Sequence, residues 1–148
     1  MCGVSGIFSP NRPIEKSLNM MLGTLEHRGP DNTGKYISEN FGMAHNRLSI
    51  IDLSDEANQP MQDDSGRYLI SFNGEIFNYK ELREELSLAG NVFQTNSDTE
   101  ILLKGFIKNG KSFLDKLRGF YSFCIYDSLE NKAFFSRDCF GKKPLYFF

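Results

Sequence analysis

The chain has 148 residues, 40% of them hydrophobic and 24% charged, which is typical of a single globular domain. Its formal net charge is −2 and its lysines and arginines are scattered, so we expect neither a nucleic acid nor a membrane as partner. No apolar run approaches the roughly 18 residues of a membrane helix, and the opening MCGVSGIF does not fit a signal peptide. We therefore expect a protein of the reducing cytoplasm.

The first third of the chain alternates strand and helix patterns. Small and apolar residues alternate over 2–8 and predict a strand, and a helical period predicts a helix over 14–25 with Pro13 at its first position. Segment 27–34 is dense in Gly, Pro, Asp and Asn, so it is predicted to be a loop. The apolar pattern of 41–52 predicts a second strand.

The middle of the chain predicts a strand and two helices. Segment 67–79 is predicted to be a strand followed by a glycine-containing turn, and 80–90 a short amphipathic helix that ends at its glycine. A third helix is predicted over 97–110, opening on a capping box formed by Ser97 and Glu100.

The end of the chain predicts a β-hairpin over 120–138, with its turn at Ser128 to Asn131. Hairpin-like strand pairs, rather than strict β-α-β alternation, favour a layered α+β fold. The final KKPLYFF lies within an apolar strand-like run, so we expect 1–148 to be a domain truncated at its C-terminus.

A cysteine directly follows the initiator methionine. Removal of Met1 would leave Cys2 with a free α-amine and a thiol, groups whose reference pKa values are close, about 7.7–8.0 and about 8.5. The amine could then serve as the base that a cysteine nucleophile needs, and His27 or His45 are the alternatives. Cys124 lies in an apolar run and is expected to be a buried, reduced thiol.

The dipeptide Asn73-Gly74 has two interpretations. Acyl transfer needs donors for the developing oxyanion, and an asparagine amide beside a glycine N–H supplies two. The simpler interpretation is an ordinary Asn-Gly turn.

Charged residues near apolar runs could bind an amino acid. Arg47 could hold a carboxylate through a bidentate pair, or it could be an edge-strand arginine with its head in water. Asp98 and Glu75 could share an ammonium group, although an acid in the first turn of a helix is also favoured by the helix dipole. Together with a nucleophile and an oxyanion pair, these residues would suit a free amino acid with a side-chain amide, such as glutamine. No metal site is predicted, because Cys2, Cys124 and Cys139 show no ligand spacing.

Motifs along nearly the whole chain resemble the class II glutamine amidotransferase domain, an N-terminal nucleophile (Ntn) hydrolase. In chain order they are MCGVSGIF, HRGPD, RLSIIDL followed by QPM, NGEIFNY, SDTE, LRGFYSFCIYD and RDCFGKKPLYF. SDTE is shared across class II amidotransferases, whereas RLSIIDL, HRGPD and RDCFGKKPLYF point to the glutaminase domain of glutamine-hydrolysing asparagine synthetases. The resemblance implies a four-layer αββα sandwich with two antiparallel sheets.

The resemblance also implies a role for each matched residue. Cys2 would be the nucleophile, and Asn73 and Gly74 would form the oxyanion hole. The glutamine substrate would be bound by Arg47, Leu48, Ser49, Ile50, Ile51, Asn73, Gly74, Glu75 and Asp98. His27, Arg28 and Asp31 of HRGPD would shape a loop, and Cys124 and Cys139 would be structural.

The implied reaction releases ammonia and glutamate from L-glutamine through a γ-glutamyl thioester on Cys2, with no cofactor. A C-terminal synthetase domain would use the ammonia to convert aspartate to asparagine with ATP and magnesium, in a possible homodimer. Two alternatives stay open: the N-terminal half of another amidotransferase, acting on a sugar or secondary metabolite, and a non-catalytic domain that keeps the fold.

Overall fold

A computed structural model describes residues 1–10 and 14–148, so the predicted role of Pro13 lies outside the described residues. This part of the chain forms, in order, β1 (Gly3–Phe8), α1 (Ile14–Leu25), β2 (Asn32–Ile37), β3 (Phe41–Arg47), β4 (Met61–Gln62), β5 (Tyr68–Ile76), α2 (Tyr79–Leu88), α3 (Asp98–Asn109), β6 (Gly119–Asp127) and β7 (Lys132–Arg137). Short 3₁₀ helices cover Glu26–Arg28, Asp55–Ala57 and Gly110–Lys116. None of the described helices is long and apolar enough to cross a membrane.

The first sheet has three antiparallel strands in the order β1-β3-β2. Side chains alternate between its two faces, as the period of two along a strand requires. Ala44 of β3 packs on one face against Ile14, Leu18 and Leu22 of α1. The apolar stripe of α1 therefore covers the outer face of this sheet.

The second sheet has four antiparallel strands in the order β4-β5-β6-β7. Its outer face carries Ile70 and Phe72 of β5 and Phe123 of β6, which form a core with α2 and α3. Those helices contribute the buried Leu82, Leu86, Ile101, Leu102 and Leu103.

The inner faces of the two sheets pack on each other. Phe41 of β3 stacks on Tyr126 of β6 with ring centroids 4.0 Å apart, and Leu69 and Cys124 belong to the same cluster. Burial raises the pKa of the Cys124 thiol to about 12, which agrees with the predicted buried, reduced cysteine. The layers therefore run α1, first sheet, second sheet, then α2 and α3, as predicted.

The structure confirms the predicted helix over 14–25 and the predicted C-terminal hairpin. It also confirms the helix stop at Gly90, which has a φ of +90°. The capping box is only half formed. The Ser97 side chain accepts from the Glu100 N–H, but the Glu100 carboxylate accepts from Gln94 and Thr95 instead of Ser97.

Three predicted boundaries are wrong, each because tertiary pairing overrides local composition. The loop predicted for 27–34 gives way at Asn32 to β2, whose pairing with β3 outweighs its turn-like residues. The strand predicted for 41–52 ends at Arg47, because its partners β1 and β2 reach no further. Segment 67–79, predicted as a strand followed by a glycine-containing turn, is strand as far as Ile76 and includes Gly74, since β6 pairs with β5 along its whole length.

Candidate active site

Cys2 lies just before β1 and faces the space between the sheets. Val4 of β1 pairs with His45 of β3, and Cys2 lies two residues earlier on the same side. Its sulfur is 3.4 Å from the N–H of Leu48, which donates to it, and the Arg28 Nε donates to the Cys2 carbonyl at 3.1 Å. The half-buried thiol is therefore held between the HRGPD loop and the end of β3.

Neither histidine hydrogen-bonds to Cys2 among the described residues. His27 is exposed and its Nδ1 is 3.1 Å from the carbonyl of Thr24. His45 is fully buried, and its Nδ1 is 2.9 Å from the Ser71 hydroxyl across the two sheets. Burial, with a smaller contribution from Arg47, lowers the His45 pKa to about 3, so this ring stays neutral at physiological pH.

Arg47 ends β3 and is 6% exposed, so the alternative of a water-facing edge arginine is wrong. Nη1 donates to the carbonyl of Ser54 at 2.9 Å and to Oδ1 of Asn58 at 2.7 Å, and Nη2 donates to the carbonyl of Asp52. A guanidinium has five N–H donors. Within residues 1–10 and 14–148, no partner accepts from the Nε–H or from the second N–H of Nη2, so both could bind a ligand.

The segment after Arg47 is held by carboxylates at both ends. Asp31 accepts from the N–H of Ser49 at 2.8 Å, which supports the predicted loop-shaping role of HRGPD. Asp52 accepts from the N–H of Ser54 at 2.9 Å and from the N–H of Asn96 at 2.6 Å. Between these anchors, Leu48, Ser49, Ile50 and Ile51 are half-buried or exposed, with Ile50 71% exposed.

Asn73 and Gly74 lie inside β5, so the alternative of an Asn-Gly turn is wrong. A Cβ at position 74 would lie 2.3 Å from the Phe120 carbonyl oxygen, so only glycine lets β6 approach here. Ser71, which contacts His45 of the first sheet, shows which face of β5 looks inward. By alternation, Asn73 and Glu75 lie on that same face, on the side of Cys2.

One backbone donor of β5 has no acceptor among the described residues. The N–H groups of Ser71, Asn73, Glu75 and Phe77 point toward β6, as the Phe77 N–H bond to the Arg118 carbonyl fixes, so those of even-numbered residues point to the opposite edge. At that edge, Phe72 donates to Oε1 of Gln59 at 2.7 Å and Ile76 donates to Oδ2 of Asp98 at 3.0 Å. The Gly74 N–H lies between them, and no described residue accepts from it.

Asp98 is the buried acid at this edge, in the first turn of α3 and 5% exposed. Burial, with a smaller contribution from the nearby Glu75 carboxylate and against the opposing Ile76 N–H, raises its pKa to about 6. The Glu75 side chain is exposed. A cation between these two carboxylates would relieve their repulsion and favour the ionised form of Asp98.

The structure thus brings most of the candidate residues to one region. Arg47 and the following segment lie beside Cys2 at the first sheet. On the second sheet, β5 carries Asn73, Gly74 and Glu75, and Asp98 lies next to this strand at the start of α3. Sequence reasoning missed two supporting residues, Gln59 and Asp52. The QPM motif contains Gln59, but nothing local shows that its side chain completes the edge of a distant strand.

Comparison with known proteins identifies the family of the chain. A family model described as the glutamine amidotransferase domain matches residues 1–148, so the chain belongs to that family. The glutamine phosphoribosylpyrophosphate amidotransferase of Bacillus subtilis, solved with ADP and GMP, superposes with a TM-score of 0.74 over 86% of this chain and 35% of its own, at 21% identity. That likeness confirms the predicted Ntn-type fold with two antiparallel sheets.

More similar sequences are asparagine synthetases described as glutamine-hydrolyzing. The chain is 40% identical to asparagine synthetase 1 of Bacillus subtilis, over 99% of this chain and 24% of that protein. It is 37% identical to asparagine synthetase B of Escherichia coli, over 99% of this chain and 26% of that protein. These relatives confirm the predicted resemblance to the asparagine synthetase branch, and the chain spans about a quarter of their length.

Proposed function

We propose that this chain is the N-terminal glutaminase part of an asparagine synthetase and hydrolyses glutamine to glutamate and ammonia. The observation that carries the proposal is the Gly74 N–H: no residue in the described part of the chain accepts from it, although the neighbouring outward amides on the same edge of β5 are occupied. A backbone donor from which no described residue accepts, beside the asparagine amide of Asn73, suits the oxyanion of an acyl transfer. Membership of the glutamine amidotransferase family supports the choice of substrate.

The proposed chemistry begins when Met1, which is 57% exposed, is removed. The freed α-amine of Cys2 takes the thiol proton, and the thiolate attacks the side-chain carbonyl of glutamine. The Gly74 N–H and the Asn73 side-chain amide stabilise the negative oxygen that forms. The C–N bond then breaks, the α-ammonium returns its proton to the leaving nitrogen as ammonia, and a γ-glutamyl thioester remains. Water, activated by the same amine, hydrolyses the thioester to glutamate and the free thiol.

Substrate binding uses the charges on the two sides of the site. The α-carboxylate of glutamine would accept from the two unpartnered donors of Arg47, a side chain whose other three donors already hold the loop. The α-ammonium would lie between Glu75 and Asp98, where it offsets both the burial and the smaller Glu75 repulsion that raise the Asp98 pKa. Backbone groups of Leu48 to Ile51 would line the pocket.

The acceptor of the ammonia belongs to the same proposal. The chain spans about a quarter of relatives named asparagine synthetase, so we assign 1–148 to an amidotransferase domain of a longer protein. In that protein a C-terminal synthetase domain would convert aspartate to asparagine with ATP and magnesium, in the cytoplasm and possibly as a homodimer. The glutaminase step needs no cofactor, because nucleophile, base and oxyanion donors are all protein groups.

The proposal is tested on the full-length protein after removal of Met1. A diazo-ketone analogue of glutamine should add once, at Cys2, by peptide mass spectrometry, and glutamate should form from glutamine. Cys139→Ser removes an exposed thiol and serves as the matched control, which should keep both results, whereas Cys2→Ser should abolish them. Labelling at Cys124 or Cys139, or no glutamate from the processed protein, would favour the non-catalytic alternative.

A further inference from the structure

The outer edge of β5 is completed by side chains rather than by a strand. β4 has two residues and pairs with Leu69 and Ile70 only, so the outward amides beyond this point need other acceptors. The Gln59 side chain takes the first of them, from Phe72, and Asp98 takes the third, from Ile76. The Gly74 N–H lies between these two amides, and its direction depends on the Phe72 and Ile76 amides being held.

Gln59 is itself held rigidly from three sides. Its side chain is buried, and its Nε2 donates to the Thr99 hydroxyl at 3.3 Å, on the same turn of α3 as Asp98. Its backbone packs on β2, where a Cβ at Gly34 would lie 2.1 Å from the Gln59 carbonyl oxygen. One residue therefore joins the backbone of the first sheet, an amide of the second sheet and the start of α3.

This placement matters because the nucleophile and the oxyanion donors come from different sheets. Cys2 directly precedes β1 of the first sheet, and the Gly74 N–H belongs to β5 of the second. An oxyanion donor must lie within a narrow distance of the developing charge, and a small displacement of β5 relative to β1 would misdirect it. Glutamine also suits this position chemically, since its carbonyl accepts the Phe72 N–H without placing a negative charge beside the oxyanion.

We infer that Gln59 is a positioning residue for the oxyanion hole: it holds the edge of β5 so that the Gly74 N–H stays directed at the carbonyl attacked by Cys2. The inference rests on the proposed glutaminase function. It predicts a loss in acyl transfer that is larger than any loss in glutamine binding or in thiol reactivity, because Gln59 touches neither substrate nor sulfur.

The experiment compares Gln59→Leu with wild type in the full-length protein after Met1 removal. We measure kcat and KM for glutamine hydrolysis, the rate of Cys2 alkylation by iodoacetamide, and thermal unfolding. Alkylation is a substitution at carbon that forms no oxyanion, so it reports the thiolate alone. We expect kcat to fall roughly 10- to 100-fold, with KM changed less than about threefold and alkylation within about twofold of wild type.

Matched variants make the result decisive. Gln62→Leu, on β4, replaces an exposed glutamine that donates to the Gly66 carbonyl, and it should leave all four quantities near wild type. Thr99→Val removes the hydroxyl that accepts from Gln59. Its kcat should fall about threefold, while its rate of alkylation stays near wild type. If Gln59→Leu does not fold, Thr99→Val decides.

The outcomes separate the two proposals. An unchanged kcat in folded Gln59→Leu, or a parallel fall of kcat and alkylation, would overturn the positioning role while leaving the glutaminase function in place. If Gln59→Leu does not fold, an unchanged kcat in Thr99→Val, or a parallel fall of its kcat and alkylation rate, would also overturn the positioning role. A wild-type protein that forms no glutamate would instead refute the proposed function, and the role of Gln59 with it.

Discussion

Replacing Asp98 by asparagine should remove a loss of folding stability that the wild-type protein suffers as pH rises. Burial, with a contribution from Glu75, raises the Asp98 pKa from 3.8 to about 6. A carboxyl whose folded pKa lies above its unfolded value favours the folded state at low pH, and this contribution is lost as pH rises through about 6. At 1.36 kcal/mol per pKa unit, the ionised carboxylate destabilises the fold by about 3 kcal/mol above pH 7. Asparagine keeps a carbonyl that can accept from the Ile76 N–H and carries no charge.

Urea unfolding at pH 4 and pH 8 measures this effect. The free energy of unfolding of Asp98→Asn minus that of wild type should rise by roughly 2–3 kcal/mol between the two pH values. Asp115→Asn, which exchanges an exposed carboxylate, is the matched control. The same Asp98→Asn protein should bind glutamine at least about tenfold more weakly, because a substrate ammonium loses its buried partner. A difference in the free energy of unfolding that is the same at pH 4 and pH 8 would refute the reasoning from burial.

Two further substitutions test groups on the first sheet. Arg47→Lys should raise KM for glutamine at least about tenfold, and it should also lower stability, by about 1.5–3 kcal/mol for each charged hydrogen bond lost, because a point charge cannot keep the loop contacts of Arg47. An unchanged KM in steady-state assays would restrict this arginine to a structural role. Ser71→Ala should cost about 1–3 kcal/mol in urea unfolding, because it leaves Nδ1 of buried His45 without a partner, as its Nε2 already is among the described residues. A loss below about 0.5 kcal/mol would contradict that account.

The prediction of elements succeeded where the signal was local. The helix over 14–25, the stop at Gly90 and the hairpin turn after β6 depend on periodicity, glycine and turn residues, and all are present. The boundaries that failed depend on partners distant in sequence. Asn32 begins a strand because β3 lies beside it, although its neighbours favour a loop.

The candidate site shows the same division. Arg47 was predicted as a ligand for a carboxylate, but its burial and its three bonds to the following loop could not be read from a strand end. Asp98 is predicted to share a substrate ammonium with Glu75, with its place in the first turn of a helix as the simpler explanation. Its raised pKa comes instead from burial against β5, which the helix pattern does not contain.

By itself, the sequence determined the family and the cysteine behind Met1, and it predicted the residue types expected to face a glutamine-like substrate, because motifs and two-residue alternation are carried by the chain directly. Only the tertiary structure decided that the Gly74 N–H has no acceptor within residues 1–10 and 14–148. Whether an edge amide is paired depends on where β4 stops and on which side chains reach that edge. Those side chains, Gln59 and Asp98, come from segments 15 and 24 residues away in the chain, and only folding brings them together.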